Sequence, residues 1–144
     1  MSGDDSDTIL HATTIAFDGK AVVIIGPAGS GKSGLALQLM AMGAALIADD
    51  QTVLRAHGAD IIAQSHPNLT GLIEARGIGI LNARPADPAP VALVIDLNTV
   101  EADRIPPPRI HALLGHNIAC LHKCEHSSWP AAILQYLKAG RNDA

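Results

Sequence analysis

Val22-Val23-Ile24-Ile25-Gly26-Pro27-Ala28-Gly29-Ser30-Gly31-Lys32-Ser33 runs four β-favouring apolar residues straight into G-x-x-x-x-G-K-S, and a helical pattern follows at once. Strand, glycine-rich turn and helix N-terminus, in that order, are the context a phosphate-binding P-loop requires. Glycines let successive backbone N–H groups turn inward on an anion, and the opening helix adds unpaired donors and the positive end of its dipole. Residues Gly26, Pro27, Ala28, Gly29, Ser30, Gly31, Lys32 and Ser33 are therefore the expected nucleotide cradle. Lys32 would reach the β- and γ-phosphates, and the Ser33 hydroxyl would take a coordination position on Mg²⁺.

Upstream, Thr8 to Phe17 and Lys20 to Ile25 are apolar or β-branched runs separated only by Asp18-Gly19. An Asp-Gly pair so placed signals a two-residue hairpin. If Phe17 faces Lys20, paired positions sum to 37 and His11 lies opposite Gly26. The register thus brings a distant histidine beside the phosphate site, unless a bulge slips it.

Downstream, Leu35, Ala36, Leu39, Met40 and Met42 give a helical stripe from about Lys32 to Met42, with Gly43 as its stop. Ala44-Ala45-Leu46-Ile47-Ala48 is then a short buried strand ending in Asp49-Asp50. A strand–helix–strand crossover sets this strand parallel to the P-loop strand, with both carboxyl ends on the ligand-binding edge. Strand alternation points the two acids to opposite faces, so one of them is expected in the site. It would serve as a general base for an accepting hydroxyl or as a ligand to Mg²⁺.

Gln51 to Ala56 and Asp60 to Ala63 suggest a further hairpin turning at His57-Gly58-Ala59, and His66 reads as a loop residue. In Gly71-Leu72-Ile73-Glu74-Ala75-Arg76-Gly77-Ile78-Gly79-Ile80-Leu81-Asn82, Glu74 and Arg76 share one face if the chain is extended. A charged pair in such an apolar stretch needs a partner or an ion, and a surface salt bridge is the plainer alternative. Arg84 to Pro90 reads as a stiff connector, and Val91 to Leu97 as a buried strand. Arg104 or Arg109, in the polar loop that follows, could meet transition-state charge, although loop position alone favours an ordinary surface role for either. Cys120, His122, Cys124 and His126 alternate, which invites zinc. Strand residues two apart stand about 7 Å apart, however, and tetrahedral ligands must converge, so a strand with polar edge residues is the reading. A last helix is expected from Ser128 to Lys138, with Ser127 or Ser128 as its N-cap.

With 144 residues, 48% hydrophobic and 2% aromatic, the chain suits one domain with an aliphatic interior. That interior fits a parallel sheet buried by helices on both faces. The expected organisation is a flexible acidic tail over 1–7, one catalytic domain over 8–140 and a flexible tail over 141–144. A net charge of −4 without a basic cluster argues against nucleic acid as partner. No apolar run approaches the roughly 20 residues that span a bilayer, and the opening has no signal-peptide character. Two cysteines make no disulfide framework, which points to the cytoplasm.

The combination of His11, the Gly26 to Ser33 loop, Ala48-Asp49-Asp50 and Ile73-Glu74-Ala75-Arg76-Gly77-Ile78-Gly79-Ile80 resembles the bacterial HPr kinase/phosphorylase family. The resemblance covers about Ile9 to Leu97. It implies an α/β P-loop kinase domain similar to the nucleotide-binding fold of phosphoenolpyruvate carboxykinase, a mixed sheet with flanking helices. It also implies ATP- and Mg²⁺-dependent phosphorylation of a serine on the phosphocarrier protein HPr and, in many members, removal of that phosphate by phosphorolysis. Carried over, Asp50 takes the serine proton, His11 supports that acid, Lys32 binds phosphates, and Ser33 and Glu74 hold the metal. Asp49 and Arg76 are supporting residues, and Arg104 resembles the active-site arginine of a later loop. Family members form hexamers and usually carry an additional N-terminal domain; here the chain starts almost at His11. Phosphate removal in the family depends on a later Pro-Gly-Arg-Asn-like loop. The nearest match is Leu114-Gly115-His116-Asn117, so kinase activity is expected ahead of phosphorylase activity. Two alternatives are a small-molecule kinase, for which no long arginine-rich lid is evident, and a nucleotide-sensing module that transfers nothing.

Overall fold

The computed structural model describes residues 7–143, so the rest of the expected N-terminal tail and Ala144 lie outside the described residues. Asp7 belongs to the fold: the Arg55 guanidinium donates to its two carboxylate oxygens at 2.7 and 3.1 Å.

The hairpin around Asp18-Gly19 forms, but its first arm is in two pieces. β1 (Thr8–Leu10) and β2 (Ala12–Phe17) are separated by a bend at His11. β2 pairs antiparallel with β3 (Lys20–Ile25) from Phe17↔Lys20 through Ala12↔Ile25, the register the turn dictates. His11 is therefore the residue at which the chain leaves the hairpin, directly before the last pair, Ala12↔Ile25. α1 (Lys32–Ala41) follows the loop and ends at Met42, with Gly43 at φ 113° and its N–H donating to the Met40 carbonyl.

β4 (Ala45–Ala48) has the direction expected of it but not the neighbour. It pairs antiparallel with β2, which lies between it and β3. The pairing carries a bulge: Thr14 faces Ala48 and Ile15 faces Leu46, so Ile47 is an extra residue. β5 (Thr52–His57) and β6 (Asp60–Ser65) form the next hairpin around Gly58-Ala59, and β1 pairs along β5. After a 3₁₀ turn at Pro67–Leu69, β7 (Leu72–Ala75) and β8 (Gly79–Asn82) make a separate two-stranded sheet. The connector at 84–90 is partly used: Leu46 N–H donates to the Arg84 carbonyl, and Ala86 N–H to that of Leu46.

β9 (Ala89–Val100) is longer than its apolar centre suggested and sits in the middle of the large sheet, parallel to β3 and antiparallel to β6 at its start. β10 (Arg109–Leu113) and β11 (His116–Lys123) form a hairpin, and β11 also runs parallel to β9, matching Cys120 with Val94 and His122 with Asp96. The strand ends at Lys123, so Cys124 and His126 lie beyond it, while Cys120 is buried. α2 (Trp129–Ala139) follows Ser128.

Composition suggested helices on both faces; the structure corrects this. Leu35, Ala36 and Leu39 of α1 and Ile133, Leu134 and Leu137 of α2 pack on one face, against Ile15, Val22, Ile24, Leu93, Ile95 and Leu97. The opposite face, with Ala12, Ala21, Val23 and Val94, is covered instead by Leu54, Ile61 and Ala63 of the β5–β6 hairpin. Aliphatic residues fill either kind of layer, so composition could not separate a helical cover from a stranded one.

A phosphate cradle flanked by paired acids

β3 delivers the glycine loop to the carboxyl edge of the sheet. Gly26 (φ 154°), Gly29 (φ 81°) and Gly31 (φ 101°) take backbone conformations that side chains rarely allow. A Cβ on Gly26 would stand 2.6 Å from the Ser30 hydroxyl oxygen and 3.2 Å from Leu97 Cβ. Lys32 is buried, and its ammonium donates to the carbonyls of Gly26 and Pro27 at 2.9 and 3.3 Å. An ammonium has three donors, so one remains for an anion. Ser30 Oγ is buried without a hydrogen-bond partner, and no side chain caps the N-terminus of α1. Orphaned donors, an open helix start and a lysine at one place fit phosphate oxygens.

Beside the cradle is a cleft of about 510 Å³. His11, Ala28, Gly29, Gly31, Lys32, Ser33, Asp49, Asp50, Glu74 and Arg76 all line it. Both acids thus reach the site, contrary to the expectation of one, and two local irregularities explain it. The Ile47 bulge shifts the parity of β4 by one residue. Leu46 packs with the helices and Ala48 with the opposite layer, so Asp49 returns to the helix face. Asp50 then sits at φ 67°, a left-handed conformation that turns the chain and breaks the alternation.

Asp49 is the hub. Its Oδ1 accepts from Ser33 Oγ at 2.6 Å and from Thr13 Oγ1 at 2.9 Å, and its Oδ2 accepts from Glu74 N–H at 2.9 Å. Asp50 N–H donates to Thr13 Oγ1 at 3.3 Å, while Asp50 Oδ1 lies 3.1 Å from His11 Nε2. Both members of the His11–Asp50 pair are more than half exposed, 58% and 63%, and so open to an incoming group. Among the described residues, no three His, Cys, Asp or Glu side chains form a ready cage for a metal. The donor set of Ser33, Asp49 and Glu74 is all hard oxygen, which fits Mg²⁺, an ion that keeps waters and substrate oxygens in its shell.

Glu74 lies on β7 and Arg76 in the turn after it, not along one extended face; the hairpin brings both to the cleft. No ion pair joins them among the described residues. Arg104 is exposed in the loop after β9 and lines neither this cleft nor the groove beyond the P-loop. Arg109 is engaged elsewhere, donating twice to Glu101 at 2.9 and 2.8 Å. Those bonds hold the Glu101 carboxyl down at about 2. Leu114-Gly115 forms the β10–β11 turn, and His116 opens β11. Because β11 runs parallel to β9 and β3, that turn lies at the end of the sheet away from the cradle. Thr13 was not singled out from sequence. Extending the same register would have found it: Thr13 faces Ile24, two residues before the loop.

A family model described as the HPr Serine kinase C-terminal domain matches residues 5–103. The HPr kinase/phosphorylase of Bacillus cytotoxicus is 41% identical over 76 residues, covering 52% of this chain and 25% of that protein. The HPr kinase/phosphorylase of Stenotrophomonas maltophilia is 42% identical over 77 residues, covering 53% and 24%. The chain thus matches about a quarter of the length of these relatives. The solved Hpr(Ser) kinase/phosphatase from Coxiella burnetii superposes with a TM-score of 0.76 at 25% identity, covering 91% of this chain and 88% of that one. The matched segment contains the cradle, both acids and the β7–β8 hairpin, and on that ground the chain belongs to the family of HPr serine kinase C-terminal domains.

Proposed function

We propose that this chain transfers the γ-phosphoryl group of ATP to a serine hydroxyl of an HPr-type phosphocarrier protein, in the presence of Mg²⁺. The observation that carries this reading is the His11–Asp50 pair, 3.1 Å apart and open, in the same cleft as Lys32 and Ser33. Asp50 accepts the proton of the serine hydroxyl as its oxygen bonds to phosphorus; the bond from phosphorus to the bridging oxygen breaks, and ADP leaves. His11 holds the carboxylate of Asp50 in place for that proton. Lys32 and the loop N–H groups receive charge on the phosphoryl oxygens, where positioning matters more than covalent chemistry. Mg²⁺, held by Ser33, Asp49 and Glu74, would supply further neutralisation of the phosphates.

The transfer assigned to the cleft runs in the kinase direction. From its end of the sheet the Leu114–Asn117 turn brings no basic group to the cradle of its own chain. A cytoplasmic setting goes with the reading, since Cys120 and Cys124 are both free thiols. Among the described residues no helix is long and apolar enough to cross a membrane. The test is incubation with labelled ATP, Mg²⁺ and a purified HPr-type carrier, followed by mass spectrometry of the carrier. Phosphate on one serine is the expected result. A carrier left unmodified by a chain that still binds ATP would favour the nucleotide-sensing alternative instead.

A further inference from the structure

On the other flank of α1 lies a second concavity of about 490 Å³ that the chemistry above does not use. It shares Gly31 and Gly34 with the cleft, so the two adjoin at the first turn of the helix. A Cβ on Gly34 would meet nothing within 4 Å, so no side chain there divides the two spaces. The cleft takes Ser33 and Leu37 from α1; this groove takes Leu35 and Gln38.

The sheet order gives the arrangement a direction. β9 and β2 flank β3 on opposite sides, and β4 lies beyond β2. The acids come from the β2–β4 side. The groove is built from the carboxyl ends of β9 and β11, at Leu97 and from Lys123 onward. In open sheets such ends are where ligands lie. Leu35, Leu97 and Pro130 give it a buried apolar floor beside half-buried Trp129, with Lys123 and Glu125 among its polar lining. Its volume falls within the roughly 300–1,000 Å³ of small-molecule sites, which pair apolar walls with a few polar groups. Ser30, whose hydroxyl oxygen is buried and unpartnered, lines this groove.

We propose that this groove seats the nucleoside of the phosphoryl donor, its base against Leu97 and Trp129, with the triphosphate passing over Gly31 and Gly34 into the cleft. The inference rests on reading the cleft as a triphosphate site and adds where the rest of the donor lies. It gives the segment from Lys123 to Pro130, which is outside the stretch matched by the family model, a direct part in donor binding.

Cys124 lines the groove and is half-buried, whereas Cys120 is buried and its thiol is pushed up, chiefly by that burial. N-ethylmaleimide should therefore report on Cys124, with the modified position mapped by mass spectrometry. The whole chain is tested with Mg²⁺-ATP and with Mg²⁺-tripolyphosphate, each at about ten times its calorimetric Kd, where a shielded site reacts about tenfold more slowly. ATP should slow alkylation of Cys124 about tenfold and tripolyphosphate less than about twofold. Trp129, the chain's one tryptophan, should change its emission with ATP and not with tripolyphosphate. Cys124→Phe, which fills the groove, should weaken ATP about tenfold or more while tripolyphosphate affinity, which also reports folding, stays level. Equal protection by both ligands, or ATP that binds without shielding Cys124, overturns the groove assignment alone. Calorimetry showing that neither ligand binds removes the triphosphate reading, and the groove assignment with it.

Discussion

Asp49 and Asp50 are neighbours in sequence with different surroundings, and the roles proposed for them rest on that difference. Asp49 accepts hydrogen bonds from two hydroxyls and a backbone N–H, which fix its carboxylate and leave about one of its roughly four lone-pair sites for a cation. Asp50 is 63% exposed and touches His11, which leaves it able to receive a proton. Asp50→Asn should thus lower phosphoryl transfer by about 10²–10⁴-fold, the usual contribution of a general base. ATP affinity measured by calorimetry should stay within about twofold, and a variant that transfers at the parent rate removes Asp50 from its role. Thr13 offers a second probe because Thr13→Val keeps the shape and removes only the hydroxyl. That loss strips one donor from Asp49 and leaves the Asp50 N–H without its acceptor. The expected effect is about 1–2 kcal/mol in denaturant unfolding, with weaker Mg²⁺-dependent ATP binding. Unchanged stability and unchanged binding would mean that the Thr13 contacts are incidental.

At the scale of elements, what could be read in advance was whatever local chemistry fixes. Asp18-Gly19 sets a two-residue turn, and the register it imposes holds through six residue pairs to Ala12↔Ile25. Gly43 stops α1 where a positive φ is needed. What could not be read was the bulge at Ile47. Nothing in Ala-Leu-Ile-Ala marks one residue as surplus; the mismatch exists only against the partner strand β2. The reach of both acids into the cleft follows from that tertiary detail and from the turn at Asp50. The neighbour of β4 was hidden for a similar reason. A crossover fixes direction, but an earlier hairpin arm already occupied the place beside β3.

The segment after β9 gives an element-level prediction. Arg109 and Glu101 clasp the two ends of the loop that carries Arg104, and Glu101 N–H also donates to the Lys123 carbonyl. Hydrogen bonds from Arg109, then the backbone N–H of Asp103 and attraction to the guanidinium, hold the Glu101 carboxyl at about 2 against an ordinary 4.5. A carboxyl lowered on folding stabilises the fold above its unfolded value and loses that contribution as the pH falls. Glu101→Gln should therefore reduce the thermal midpoint at neutral pH, and the gap from the parent should close between about 4.5 and about 2. A gap that stays constant across that window in calorimetric scans would show that the clasp acts through shape and not through charge.

For the whole molecule, one face of the large sheet carries two helices and the other a hairpin. The carboxyl ends of β3, β9 and β11 all meet at the edge holding the cradle. Family membership was legible because its markers are short and local, as in the glycine loop and in Glu74-Ala75-Arg76. The layering was not, since leucine, isoleucine and valine serve either cover.

β9 pairs with β3 and β11 along its length and with β6 at its start, and Leu93, Val94 and Ile95 are fully buried. An amide in such a place meets solvent only when the whole chain opens. In deuterated water the N–H groups of Val22–Ile24 and Leu93–Ile95 should thus be the last to exchange, at the rate of global unfolding. Those of the β7–β8 hairpin should exchange early. The protein would then hold its glycine loop on its slowest-opening strands and Glu74, the glutamate proposed for the metal, on a quickly fluctuating one.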